Sequence, residues 1–287
     1  MPLAAAAMII SQAVSTALRG PGPVAFYTAL LVGALWAWEG FYLSERSVSS
    51  GVFAQHLTWD GYVRPHTAPE TCSPLSVLMA DRMRQTEQYV AAFARRQGLV
   101  RISLALPGER HALSDARSTR HGRRGHLWLG HHWFLPRHTH HLAPVLEHEL
   151  AHIRRYDTRT HLAVETAALT VCALAAGLLP TLAFVLTALS VWIATVAVNW
   201  YSELACDAAA VRACGREPVA AMWSADIAGE HTVPLASRVR NLPRSLPRHP
   251  PLRLRRIFAR HAPLRLAAGA HPLLTAPERV LTAPHVP

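Results

Sequence analysis

The 287-residue sequence predicts a mainly α-helical integral-membrane protein, with a small-sheet α+β lobe packed on three to four spans. Three observations predict this class. Val24–Leu43 and Thr166–Ser202 are long stretches almost free of charge. Residues 74–135 between them run through helical and then strand periodicity. The chain is 51% hydrophobic and still carries a formal charge of +11, an unusual pairing for a freely soluble globule.

At the start, residues 1–18 hold no charged side chain and the first charge, Arg19, follows them. A secretory signal would place its positive charge ahead of the apolar run, so this order speaks for a short first span instead. Gly20-Pro21-Gly22-Pro23 makes a turn. Val24–Leu43 is long enough to cross a bilayer, and Trp36, Trp38, Phe41 and Tyr42 cluster near one end with Glu39, as interfacial aromatics do. Residues 44–73, with Pro65 and Pro69, read as a linker or an irregular subdomain.

The lobe begins with an amphipathic helix over 74–97, its apolar face built from Leu75, Leu78, Met79, Met83, Tyr89, Val90 and Phe93, with Gly98 as its stop. Residues 100–106 alternate as a strand and end at Pro107-Gly108. Residues 111–125 read as a polar, Arg-rich loop, and 126–135 as a second strand. The histidines that follow, His131, His132, His138, His140 and His141, read as solvated loop rather than as metal ligands.

Thr166–Ser202 is too long for one straight span. As a single helix it would reach about 55 Å against a hydrocarbon core of about 30 Å. Gly177 and Pro180 lie near its middle and allow a hairpin. The tail from Ala262, with Pro263, Pro272, Pro277 and Pro284, reads as irregular.

Composition narrows the partners. Every basic residue is Arg and none is Lys, a bias expected of a GC-rich, bacterial genome. No nucleic-acid motif accompanies the charge, so nucleic acid is excluded as the expected partner and a lipid bilayer is favoured. Cys72, Cys172, Cys206 and Cys214 form no paired spacing, which argues against a disulfide framework.

The chemistry centres on His148-Glu149-Leu150-Ala151-His152. Positions i and i+4 share a helix face, so His148 and His152 can hold one metal ion, and Glu149 lies where a carboxylate can take a proton from water. Such a site needs a third ligand. Directly after the uncharged stretch, Glu203 and Asp207 share a face of the next helix. Glu203 completes the ligand set, and Asp207 stands where it can orient a ligand histidine. Both ends of the apolar stretch must then lie on one side of the membrane, which requires the hairpin. Arg46, Arg154, Arg155, Arg159, Arg212 and Arg216 flank that side and only Arg19 the other, so the site is expected to face the cytoplasm of a multi-pass cell-membrane protein.

Together, His148-Glu149-Leu150-Ala151-His152 with Arg154-Arg155-Tyr156-Asp157, the hairpin, and Glu203-x-x-Cys206-Asp207-x-x-Ala210 resemble the HtpX and CAAX prenyl endopeptidase family of integral-membrane zinc peptidases. His249-Pro250-Pro251-Leu252 with Arg255 resembles that family's C-terminal segment, although Arg255-Arg256 offers two arginines for one position. The usual Asn-Ala-Phe segment is not recognisable, His111-Ala112-Leu113 being the nearest stretch. The resemblance implies a zincin-like catalytic lobe, one Zn²⁺ per chain, a polypeptide substrate, Glu149 as the general base, and His249 or Arg255 as the partner of the oxyanion. Sensor-transducer peptidases of the beta-lactam-response type share part of the pattern. A non-catalytic basic membrane protein is the reading from a different class.

The expected divisions are a membrane segment at 1–45, a catalytic part at 46–161, a transmembrane hairpin at 162–201, a second catalytic part at 202–261 and a tail at 262–287.

Overall fold

The computed structural model describes residues 2–22, 24–49, 74–105, 116–232, 234–237, 246–263, 271 and 273. Most of the expected linker, Cys72, the His111-Ala112-Leu113 stretch and the side chain of Arg46 lie outside the described residues.

Two apolar helices open the chain, α1 (Pro2–Arg19) and α2 (Val24–Ser49). The lobe follows, with α3 (Pro74–Arg96), β1 (Arg101–Ala105), β2 (Ala116–His121), β3 (Arg124–Leu129), two 3₁₀ turns and α4 (Thr139–Arg155). The chain then forms α5 (Asp157–Leu178), α6 (Thr181–Cys214), α7 (Arg216–Thr232) and α8 (Leu252–His261).

The sheet has the order β1-β3-β2, with β1 parallel and β2 antiparallel to β3. Its third strand corrects the sequence expectation, because β2 occupies much of what read as an Arg-rich loop. β3 begins two residues before the expected second strand and ends at Leu129, where the chain turns into a 3₁₀ segment at His131–Phe134. The core of the lobe lies between this sheet, α3 and α4, and includes Met83, Val90, Leu127, Leu129, Phe134, Leu142, Leu146, Leu150 and Ile153. Burying such apolar side chains contributes about 1.5–3 kcal/mol each.

The uncharged stretch does form two helices. Leu179 is extended and Pro180 caps the start of α6, so the chain reverses there. Pro fits this position because the first turn of a helix has no use for its missing N–H. Among the described residues, α5 and α6 are the two helices long and apolar enough to cross a membrane, while Met8–Leu18 and Tyr27–Trp38 are shorter apolar stretches. No residue from Thr181 to Val198 is buried, and Leu182, Leu186, Leu189, Trp192 and Ile193 stand exposed.

Small residues let α1 and α2 approach α5 closely. Ala25, Ala29, Ala173 and Ala176 are buried there. A Cβ on Gly177 would come within 2.2 Å of the Ala25 Cβ, and one on Gly33 within 2.3 Å of Thr170 Oγ1.

The expected division near residue 201 is not a break in structure. α6 continues through it to Cys214, changing at Asn199 from an exposed apolar helix to one that buries Glu203, Cys206 and Asp207. Within the tail, His271 and Leu273 lie in no helix or strand and are buried against the lobe. The rest of it, apart from Ala262 and Pro263, lies outside the described residues.

Candidate metal centre

α4 carries His148 and His152 on one face, as the spacing requires, and brings their Nε2 atoms within 3.1 Å. α6 delivers Glu203 from beyond the hairpin. Its Oε2 lies 3.6 Å from His148 Nε2 and its Oε1 3.5 Å from His152 Nε2. The ligand atoms of the three residues all lie within 4.8 Å of one another, and the group could hold a metal ion. A tetrahedral ion with ligands about 2.1 Å away needs them roughly 3.4 Å apart, which these separations match. Glu203 Oε2 is buried and accepts no hydrogen bond of good angle, although Arg255 Nη1 and His249 Nδ1 stand within 3.0 and 3.3 Å. The donor set therefore fits a zinc-sized cation.

Each histidine is held from behind by a carboxylate. Asp207 Oδ1 lies 3.0 Å from His148 Nδ1, as the spacing with Glu203 suggests. Asp157 Oδ2 lies 2.9 Å from His152 Nδ1. Asp157 closes the Arg154-Arg155-Tyr156-Asp157 motif, and its placement depends on Tyr156. That residue adopts φ 60° and ψ 42°, so α5 begins with no loop after α4 and returns Asp157 to the turn it has just left. Arg155 Nε bridges both oxygens of Asp157 at 3.2 and 3.3 Å, and Cys206 Sγ approaches Oδ2 at 3.6 Å. His152, Asp157 and Cys206 thus form a second convergent group sharing one member with the first.

The two C-terminal candidates occupy different positions. Arg255 is 4% exposed and grips Asp207 through Nε–Oδ2 at 2.8 Å and Nη2–Oδ1 at 2.7 Å. Its guanidinium carbon lies 3.8 Å from the ring centroid of Trp223 on α7. Burial works against that charge, yet Asp207 and then Glu203 raise the Arg255 pKa above its ordinary value. Of the adjacent arginines, Arg255 is thus the one that enters the site. His249 instead has a side chain 56% exposed, at the rim beside Glu203. The His249 segment is tied to α6 by Asn199 Nδ2, which donates to the Pro247 carbonyl, and by Trp200 Nε1, which donates to that of Leu246.

Burial and the charge of Arg255 lower the His148 pKa, but the facing carboxylates of Asp207 and Glu203 outweigh them and push it up to about 9. A metal ion would have to displace that proton, so its uptake couples to pH. Glu149 is 8% exposed and accepts a 2.6 Å hydrogen bond from Ser118 on β2. Neither Ser118 nor Trp223 is singled out by spacing, because both arrive by tertiary packing.

The histidine cluster lies at the start of α4 and joins neither convergent group among the described residues. His132 and His138 stack with ring centroids 3.6 Å apart, and His141 is buried. No protein-family model, curated protein or solved structure matches the chain.

Proposed function

We propose that the protein is a membrane-embedded, zinc-dependent endopeptidase acting on membrane-associated or misfolded polypeptides. The observation that carries this reading is the convergence of His148, His152 and Glu203 with the Glu149 carboxylate one residue from the first ligand. His148, His152 and Glu203 would hold one zinc ion and leave a position for water. Zinc bound there would polarise the scissile carbonyl and bring the acidity of its water near neutral pH.

Glu149 accepts the proton of the attacking water and returns it to the leaving amine. His249, exposed at the rim, is the better placed of the two candidates to donate to the developing oxyanion. Arg255 is committed to Asp207 and acts by holding the ligand frame. β2 is an edge strand of the sheet among the described residues, and its edge beside Glu149 suits an extended peptide added as a further strand.

The exposed apolar surface of α6 supports the membrane assignment, because a continuous patch of this kind would be a liability in water. α5 and α6 form a transmembrane hairpin. The flanking arginines favour a cytoplasmic site in the cell membrane. The resemblance to the HtpX and CAAX prenyl endopeptidase family supports the substrate class.

The test uses the full chain purified in detergent. Metal analysis should return one zinc per chain, and casein cleavage should stop with chelator and resume with added zinc. Glu149→Gln should keep the zinc and lose the cleavage. A fully zinc-loaded wild-type protein that cleaves neither casein nor itself would refute the peptidase reading in favour of a non-catalytic membrane protein.

A further inference from the structure

We infer that Ser118 is a positioning residue that aims the Glu149 carboxylate, a role that rests on the proposed peptidase activity. Its hydroxyl donates to Glu149 Oε2 across 2.6 Å, within the range of a charge-assisted O–H···O⁻ bond, roughly twice as strong as a neutral one. Oε1 takes no hydrogen bond among the described residues. One carboxylate oxygen is therefore fixed and the other left for the proton.

The fold explains why a strand residue reaches this atom. Ala116, Ser118 and Arg120 share one face of β2 by strand alternation. Arg120 Nη1 donates to the carbonyls of Ile153 at 3.2 Å and Arg154 at 3.5 Å, capping the C-terminal end of α4 where a cation is favoured. Arg120 also lies over the Tyr156 ring, 4.7 Å from its centroid, while Tyr156 Oη accepts from the Gly122 N–H at 2.7 Å. Two residues along a strand span about 6.7 Å, and the four residues from Glu149 to Ile153 span about 6 Å of helix. An anchor at Arg120 on the last turn of α4 thus places Ser118 one turn back, opposite Glu149. A carboxylate so nearly buried needs a donor, and a serine on this face supplies one without crowding the helix.

The experiment compares Ser118→Ala and Ser118→Thr with wild type in the full detergent-purified chain. Ser118→Ala is expected to bind one zinc, keep a cooperative melting transition only a few degrees below wild type and keep KM within twofold. Its kcat should fall about 10- to 100-fold, the usual effect of losing a partner behind a metal site. Ser118→Thr keeps the hydroxyl and should recover kcat to within about threefold. The visible spectrum of cobalt-loaded protein reads the same carboxylate without turnover, and should shift in Ser118→Ala and return in Ser118→Thr.

Wild-type kcat and an unshifted spectrum in Ser118→Ala would overturn the inference, as would failure of threonine to restore either. Loss of zinc or of the melting transition in Ser118→Ala would overturn it in favour of a structural role. If wild type binds metal but cleaves nothing, the peptidase reading fails, and the cobalt spectra alone decide whether Ser118 sets the carboxylate.

Discussion

Arg255 and Asp207 meet as a two-point fork, with Nε–Oδ2 at 2.8 Å and Nη2–Oδ1 at 2.7 Å, and the same carboxylate lies 3.0 Å from His148 Nδ1. One buried acid thus joins α8 to α4 from its place on α6. Removing either member leaves an uncompensated charge in the interior, which costs about 3–5 kcal/mol. Arg255→Ala is expected to lower the melting temperature and weaken zinc binding together. Arg255→Lys should recover little of either, since an ammonium cannot supply the fork. Calorimetry with zinc titration measures both, and a Lys variant matching wild type would show that charge alone suffices.

Glu203 and Glu149 should separate by what their loss removes. Glu203 is 4% exposed and faces both histidine Nε2 atoms, so Glu203→Ala is expected to leave the purified chain with little or no zinc. Glu149→Gln retains all three ligands and should hold zinc at full stoichiometry while inactive. Full zinc occupancy in Glu203→Ala would remove Glu203 from the ligand set.

Asp157 should matter for metal affinity more than for fold. Asp157→Asn retains the size of the side chain but loses the charge facing His152 Nδ1 at 2.9 Å. Loss of such a partner typically weakens metal binding about 10- to 100-fold. A chelator competition series reads this directly, and an unchanged zinc dissociation constant would leave His152 without need of that carboxylate.

Stability should fall on acidification through two histidines remote from the metal ligands. Burial, followed by Arg101, Arg124 and His121, lowers His126 to about 4, and burial, followed by His140, His138 and His132, lowers His141 to about 4. A folded pKa below the unfolded value near 6.5 means that the unfolded chain takes up the proton first. The stability is therefore full above about pH 6.5, declines as pH falls and is lost by about pH 4, at most about 3 kcal/mol for each group and less by the share that solvent screens. Melting temperatures in detergent between pH 7 and pH 4 should show the decline. His141→Phe should flatten part of it, and a wild-type slope in that variant would assign the loss elsewhere.

What the sequence discloses here follows helical spacing. His148 and His152, and likewise Glu203 and Asp207, sit four apart, so a helix alone puts each pair on one face. The requirement that the two faces meet was enough to imply the reversal seen at Leu179-Pro180. What spacing does not disclose depends on tertiary approach. β2 reads Ala-Arg-Ser-Thr-Arg-His and lacks the alternating apolar face by which a strand is recognised, because its inward residues cap and hydrogen-bond α4 instead of filling a core. Ser118 was hidden with it. Asp157 was visible in the motif, but its role depends on a left-handed Tyr156 that no pattern of residue types announces. The continuity of α6 was obscured by its change from apolar to polar at Asn199, which looks like a boundary in composition and is one only in environment.

The tail supplies the last test. His271 Nε2 lies 3.1 Å from Glu147 Oε1, and Tyr89 on α3 hydrogen-bonds the same oxygen. His271 Nδ1 accepts from the Leu273 N–H at 3.3 Å, so Nε2 carries the proton and donates to Glu147. Glu147 directly precedes His148, which ties the tail to the metal-bearing helix. Leu273 is 6% exposed and joins the lobe's core. Leu273→Ala should therefore cost about 2–5 kcal/mol, as a core deletion does, and His271→Ala only about 1 kcal/mol for one lost hydrogen bond, because Tyr89 still donates to Glu147. Thermal melts of the two variants should rank in that order. A Leu273→Ala protein that melts with wild type would return the tail to the irregular segment that its prolines suggest.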